Sequence, residues 1–123
     1  MTGAPKLVCI VDDDAHIRRA LTRLMHTRGY DTAAFASGRE CLDGHEIDQA
    51  EVVIMDVSMP GMDGFELHTQ LRASGRNIPT IFMSAHSNGQ YVSRAKSVGA
   101  ITFLNKPCNE AALLCAIESV SKV

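Results

Sequence analysis

Apolar and polar positions along the chain alternate between two periods. Short apolar runs, several rich in β-branched residues, read as buried strands: "KLVCIV" at 6–11, "EVVIMD" at 51–56, "IPTIFMSA" at 78–85, "AITFLN" at 100–105, and a weaker "YDTAAF" at 30–35. Between them the apolar residues recur at helical spacing. "AHIRRALTRLMHTRG" at 15–29 puts Ile17, Leu21, Leu24 and Met25 on one face and stops at Gly29. "SGRECL" at 37–42 starts a short helix with Ser37 as N-cap, and "DGFELHTQLRASG" (63–75), "GQYVSRAKSVG" (89–99) and "NEAALLCAIESV" (109–120) predict three more. "DGHEIDQA" at 43–50 reads as loop.

Five strand-then-helix units imply a parallel sheet covered on both faces, because each crossover helix packs back onto the sheet with one handedness. The pattern therefore predicts a doubly wound α/β domain. With no linker and no low-complexity segment, one domain is expected over 1–123, its core running from about residue 5 to 121 and no output domain within it. In such a sheet a site lies outside the carboxyl ends of the strands, where strand order reverses.

Composition narrows the function classes. The 123 residues, 46% of them apolar, suffice for one core. Twelve basic and 14 acidic residues give a net charge of −2, which offers no electrostatic footprint for nucleic acid or an anionic membrane. No apolar stretch approaches the ~20 residues of a membrane span, and "MTGAPK" lacks the apolar core of a signal peptide. A soluble, cytoplasmic protein is expected. Cys9, Cys41, Cys108 and Cys115 form no C-x-x-C pair and read as core or near-core thiols. His16, His26, His45, His68 and His86 lack the spacing of a helical zinc site.

The expected strand ends carry the chemistry. Strand one ends in Asp12, Asp13 and Asp14, strand three in Asp56, strand four in Ser84, and strand five in Lys106 followed by Pro107. Each has an ordinary explanation on its own. Asp14 suits the N-cap of the first helix, and acidic residues before a helix favour its dipole by ~0.3–1 kcal/mol each. Together they bring three acids, a hydroxyl and an ammonium to one sheet edge. Clustered aspartates repel one another until a hard, oxygen-seeking dication such as Mg²⁺ binds. A carboxylate so placed can take a phosphoryl group while an ammonium and a hydroxyl stabilise the transferring oxygens. Asp56 fits the acceptor, Asp12 and Asp13 the metal, Lys106 and Ser84 the stabilisers.

"VDDD" at 11–14, "MDVSMPGMDG" at 55–64, "FMSAH" at 82–86 and "FLNKP" at 103–107 resemble, in order and spacing, a response regulator receiver domain across essentially the whole chain. The last motif, "NKPCNEAALLCAI", most resembles receivers attached to DNA-binding output domains. The resemblance implies a flavodoxin-like fold with strand order 2-1-3-4-5 and five helices. It implies that Asp56 accepts phosphate from a histidine kinase or histidine phosphotransfer protein, and that Asp12, Asp13, Asp56 and the backbone carbonyl of Ser58 hold Mg²⁺. Lys106 would pair with the phosphoryl group, a cis Lys106–Pro107 peptide would aim it, and Ser84 and Phe103 would form the switch. The rearranged face would be helix four, strand five and helix five, around Tyr91, Lys96, Phe103 and Cys108, as a homodimer surface or output dock, the output lying outside this chain. Ser58 and His86 would flank the site at positions where this family tunes hydrolysis of the acyl phosphate, His86 as a polar rim residue.

Three rivals share parts of this set. A haloacid dehalogenase-type phosphatase also uses an aspartate nucleophile, Mg²⁺ and a lysine, but wants a second acid where Ser58 stands. A flavodoxin-like FMN carrier needs hydroxyls and glycines in the first loop, where "DDD" would repel phosphate. A pseudo-receiver acting only as a binding module would have no need to fill every acidic, hydroxyl and lysine position.

Overall fold

The computed structural model describes residues 6–86 and 88–121, excluding the side chain of Ser121, so the ends of the expected span lie outside it. Five strands, β1 (Leu7–Val11), β2 (Asp31–Phe35), β3 (Ala50–Asp56), β4 (Thr80–Ser84) and β5 (Thr102–Asn105), form one sheet. They alternate with α1 (Ala15–Thr27), α2 (Gly38–Asp43), α3 (Gly64–Ala73), α4 (Gly89–Ser97) and α5 (Glu110–Ser121). Every pairing is parallel and the order is β2-β1-β3-β4-β5, the flavodoxin-like arrangement.

Alternation along the strands makes two cores. Val8 and Ile10 of β1, Val52 and Ile54 of β3, and Ile81 and Met83 of β4 pack under α1 and α5 with Leu21, Met25, Leu113 and Ile117. Cys9, Val11, Val53, Met55 and Phe82 point the other way, under α2, α3 and α4, with Cys41, Phe65, Leu71 and Ala95. Burial on both faces is why these strands read as continuous apolar runs rather than as an alternation. The α1 stripe is as expected: Leu21 and Met25 are buried, and Ile17 and Leu24 pack against them.

The helix ends follow local chemistry. Asp14 caps α1 by accepting the His16 and Ile17 N–H groups, and Ser37 caps α2 by accepting that of Glu40. Gly29, at φ +82°, turns the chain out of α1. Asp63 and Glu66 form a reciprocal capping box at the start of α3.

Two expectations change. The segment expected as loop at 43–50 contains a 3₁₀ turn, Glu46–Gln49, which buries Ile47, and Ala50 already belongs to β3. A single apolar residue among acids carries no periodicity. Of the four cysteines, Cys9 and Cys41 are fully buried and Cys108 is half-buried, but Cys115 is exposed. It faces away from the sheet on α5, whose inward positions are Leu113, Leu114 and Ile117. Among the described residues no helix is long and apolar enough to cross a membrane.

Candidate functional site

Because the chain runs from β1 out to β2 and then back to β3 on β1's other side, strand order reverses between β1 and β3. The crevice this opens lies at the carboxyl ends of the strands. Asp12 immediately follows β1, and Asp56 ends β3. Both are buried, at 2% and 5% exposure, so they face each other with little water to screen them.

One cation joins them. Lys106, just past β5, places Nζ 2.8 Å from Asp12 Oδ2 and 3.2 Å from Asp56 Oδ2. Its own N–H donates to the Ser84 carbonyl at 2.8 Å, extending the β4–β5 ladder by one bond, and the next peptide, Lys106–Pro107, is cis as expected. The remaining carboxylate oxygens are held by backbone. Asp12 Oδ1 accepts the Asp14 N–H at 2.9 Å, and Asp56 Oδ1 accepts the Ser58 N–H at 3.2 Å. Fixed in this way, neither carboxylate can turn aside.

The electrostatics follow. Burial, reinforced by the Asp12 charge, raises the Asp56 pKa above the usual carboxylate value, although Lys106 and the Ser58 N–H pull the other way. Burial works against the Lys106 charge, but its bonds to Asp12 and Asp56 win and its pKa is raised. Asp14 differs: fully exposed, it is lowered chiefly by the His16 N–H it accepts, as befits a cap.

Asp13 is exposed beside this pair, and one oxygen from each of Asp12, Asp13 and Asp56 lies within 4.8 Å of the others. Octahedral Mg²⁺ at 2.0–2.1 Å needs adjacent ligand oxygens about 3 Å apart and opposite ones about 4 Å apart. The three carboxylates approach that spacing, and Asp13 is free to swing inward. Three negative charges against one ammonium leave an excess that a dication matches, and all three donors are hard oxygens. The set fits Mg²⁺.

Ser84 is fully buried at the end of β4, with its Oγ accepting the His86 N–H at 3.0 Å, which leaves the hydroxyl proton to be donated. His86 itself is exposed, at the rim. Phe103 is not opposite Ser84. The register pairs Ser84 with Asn105 and Phe103 with Phe82, so Phe103 lies two residues back along the same sheet face. There its ring stands 6.4 Å from that of Tyr91, which in turn is 5.9 Å from Phe65.

Two residues to which the motifs gave no role also shape the site. Arg18, on α1, donates from a guanidinium nitrogen to the Asp12 carbonyl at 2.7 Å, a bond to backbone that leaves no signature in sequence. Gly64 opens α3 directly against β3's end: a Cβ there would meet the Asp56 carbonyl oxygen at 2.5 Å. Its place in "PGMDG" shows a turn but not that close approach.

Against known proteins, the family model described as "Response regulator receiver domain" matches residues 8–118. The transcriptional regulatory protein TdiR of Thauera aromatica is 34% identical over 118 residues, 96% of this chain and 52% of that protein. The chain spans about half the length of most of the curated relatives it matches, and 23% of one of them. In solved structures it resembles the response regulator StyR, at 39% identity and a TM-score of 0.86 over 94% of this chain and 59% of that one. It also resembles the chemotaxis protein CheY4 of Vibrio cholerae, at 31% identity and a TM-score of 0.85 over 95% and 99% of the two chains. With its sheet order, its crevice and these likenesses in agreement, the chain belongs to the response regulator receiver family of two-component systems.

Proposed function

We propose that the chain accepts a phosphoryl group on Asp56 from the phosphohistidine of a histidine kinase or histidine phosphotransfer protein. The observation that carries this is the Lys106 ammonium held between two buried carboxylates, with Asp13 alongside. Asp12, Asp13, Asp56 and the Ser58 carbonyl would hold Mg²⁺, which when bound neutralises the nucleophile and the incoming phosphoryl oxygens. Asp56, kept in place by the Ser58 N–H and Lys106, forms a new P–O bond as the donor's P–N bond breaks; the imidazole keeps that electron pair and takes a proton. The Lys106 ammonium then moves from carboxylate to phosphoryl oxygen, and Ser84 donates its hydroxyl proton to another. The protein thus serves as a signalling phospho-acceptor that catalyses its own phosphorylation and slow dephosphorylation.

Ser84 and Phe103 share one sheet face, and Phe103 packs toward Tyr91 of α4. Drawing the Ser84 hydroxyl toward a phosphoryl group frees space that an inward-turning Phe103 takes up. Full burial of a Phe is worth only ~1.5–3 kcal/mol, so the two packings lie close in energy. The face of α4, β5 and α5 is then the surface that dimerises or meets an output domain, with the chain acting as one receiver unit.

The test is phosphorus NMR of the chain with acetyl phosphate and Mg²⁺. An acyl-phosphate resonance that vanishes on chelation supports the proposal; a resonance that persists without metal, or none with it, contradicts it. In Ser84→Ala the same resonance forms while hydrogen exchange in α4 and β5 responds much less to beryllofluoride and Mg²⁺. Changes confined to α1 and α2 would rule out this switch.

A further inference from the structure

The helical period of α3 sets residue 68 on its inward face. Phe65, His68 and Leu71 follow at three-residue spacing and all are buried. An imidazole therefore occupies a position where the period calls for an apolar side chain. His68 is 7% exposed, packs against the Phe82 ring at a centroid distance of 5.7 Å and a tilt of 55°, and makes no hydrogen bond to any described residue. Among the described residues no buried side-chain nitrogen or oxygen lacks a partner, so the polar edge of the ring reaches solvent rather than being sealed in the core.

The edge of His68 that the protein leaves uncovered lines a pocket of about 320 Å³. Arg72 and Asn77 supply its other polar groups, and Ile78, Val98 and Ile101 its apolar wall. Among the described residues no acidic one lines it, so the formal charge they give it is the Arg72 guanidinium. One nitrogen of that group donates to the Val98 carbonyl at 3.1 Å, which anchors it across from α3 to the end of α4 and leaves its other donors to the pocket. Burial, and the Arg72 charge beside it, lower the His68 pKa, so the ring is neutral near pH 7 with one N–H and one lone pair. Ile78 precedes β4 and Ile101 precedes β5, so the pocket opens at the amino ends of the strands, opposite Asp56.

We propose that this pocket is a second binding site, for a small organic carboxylate whose charged end meets Arg72 and His68 and whose apolar remainder lies on Ile78, Val98 and Ile101. A planar, bidentate cation, a neutral hydrogen-bonding ring and an apolar wall are the complement of that ligand class. The ligand would join the end of α3 to the α4–β5 turn.

The probe is sodium benzoate, followed by two-dimensional NMR of the full chain at fixed pH and ionic strength, with benzamide and inorganic phosphate as controls. Saturable shifts are expected at His68, Arg72, Asn77 and residues 98–101, with benzamide and phosphate weaker by about tenfold or more. Arg72→Gln, an exposed change that leaves the core intact, weakens benzoate by about tenfold, and His68→Phe does the same. Shifts that do not saturate, a response to benzamide or phosphate equal to that of benzoate, or an Arg72→Gln variant that still binds would each overturn the proposal. Because Asp56 lies at the other edge of the sheet, the titration reads this pocket whether or not Asp56 accepts phosphate.

Discussion

The Lys106 ammonium is the only cation within bonding distance of the Asp12 and Asp56 carboxylates among the described residues, so the three side chains respond to mutation as a unit. Lys106→Ala leaves two buried carboxylates facing each other; in chelator, stability falls by about 3 kcal/mol in urea unfolding followed by circular dichroism, and Mg²⁺ restores part of it. Lys106→Arg does not recover the phosphorylation response, since a planar fork does not replace a point charge in so tight a gap. Asp56→Asn acts in the opposite sense. The Asp56 pKa is raised by burial and by Asp12, so the folded state holds that proton more tightly than the unfolded chain does, and the ionised group costs stability as pH rises through its folded value. Metal-free Asp56→Asn should therefore melt a few degrees above the parent at pH 7, and an equal or lower melting temperature would contradict the pairing. These acids, Ser84 and Lys106 were legible in sequence because each closes an apolar run, which fixes it to a strand end. Arg18 was not, because it bonds a carbonyl six residues away, and backbone acceptors have no letter in the sequence.

At the scale of elements, α3 shows how helix propensity and packing can disagree. Alanine is the better helix former, yet at position 64 its Cβ would meet the Asp56 carbonyl oxygen at 2.5 Å and the Val57 Cα at 3.1 Å, both rigid backbone. Gly64→Ala should cost about 1–3 kcal/mol by overpacking and slow phosphorylation by displacing the acceptor. Asp63→Ala, one residue earlier, removes the side-chain half of the capping box at a cost of about 1 kcal/mol and leaves the acceptor in place. Thermal melts together with acetyl phosphate kinetics separate the two: a Gly64→Ala variant that matched Asp63→Ala in rate would contradict the close approach. The helices themselves were legible from their stripes and caps. The 3₁₀ turn at Glu46–Gln49 was not, since Ile47 alone carries its burial. Phe103 could be assigned to β5, but its pairing with Phe82 rather than Ser84 depends on register, which a four-residue strand does not reveal.

For the whole molecule, apolar runs separated by helical stripes were enough to give a two-faced parallel sheet, because burial on both sides leaves that pattern in every strand. For the same reason the strands look alike, and their order came from resemblance to a family rather than from periodicity. The buried charges also give the molecule a pH response. The His68 pKa is lowered from 6.5 by burial and by Arg72, so the stability its neutral form contributes is complete above that value and is lost as pH falls through the depressed folded value. The stability difference between the parent and His68→Phe should therefore shift in favour of the variant on acidification below about pH 6.5. A difference independent of pH would contradict the burial of a neutral ring. The two cores, the crevice between β1 and β3 and the Lys106 bridge together support the proposal that Asp56 is the acceptor. The most direct test is the intact mass of the chain after incubation with acetyl phosphate and Mg²⁺: one added phosphate on the native protein and none on Asp56→Asn is the predicted result, whereas no adduct on the native chain, or the same adduct on Asp56→Asn, would contradict it.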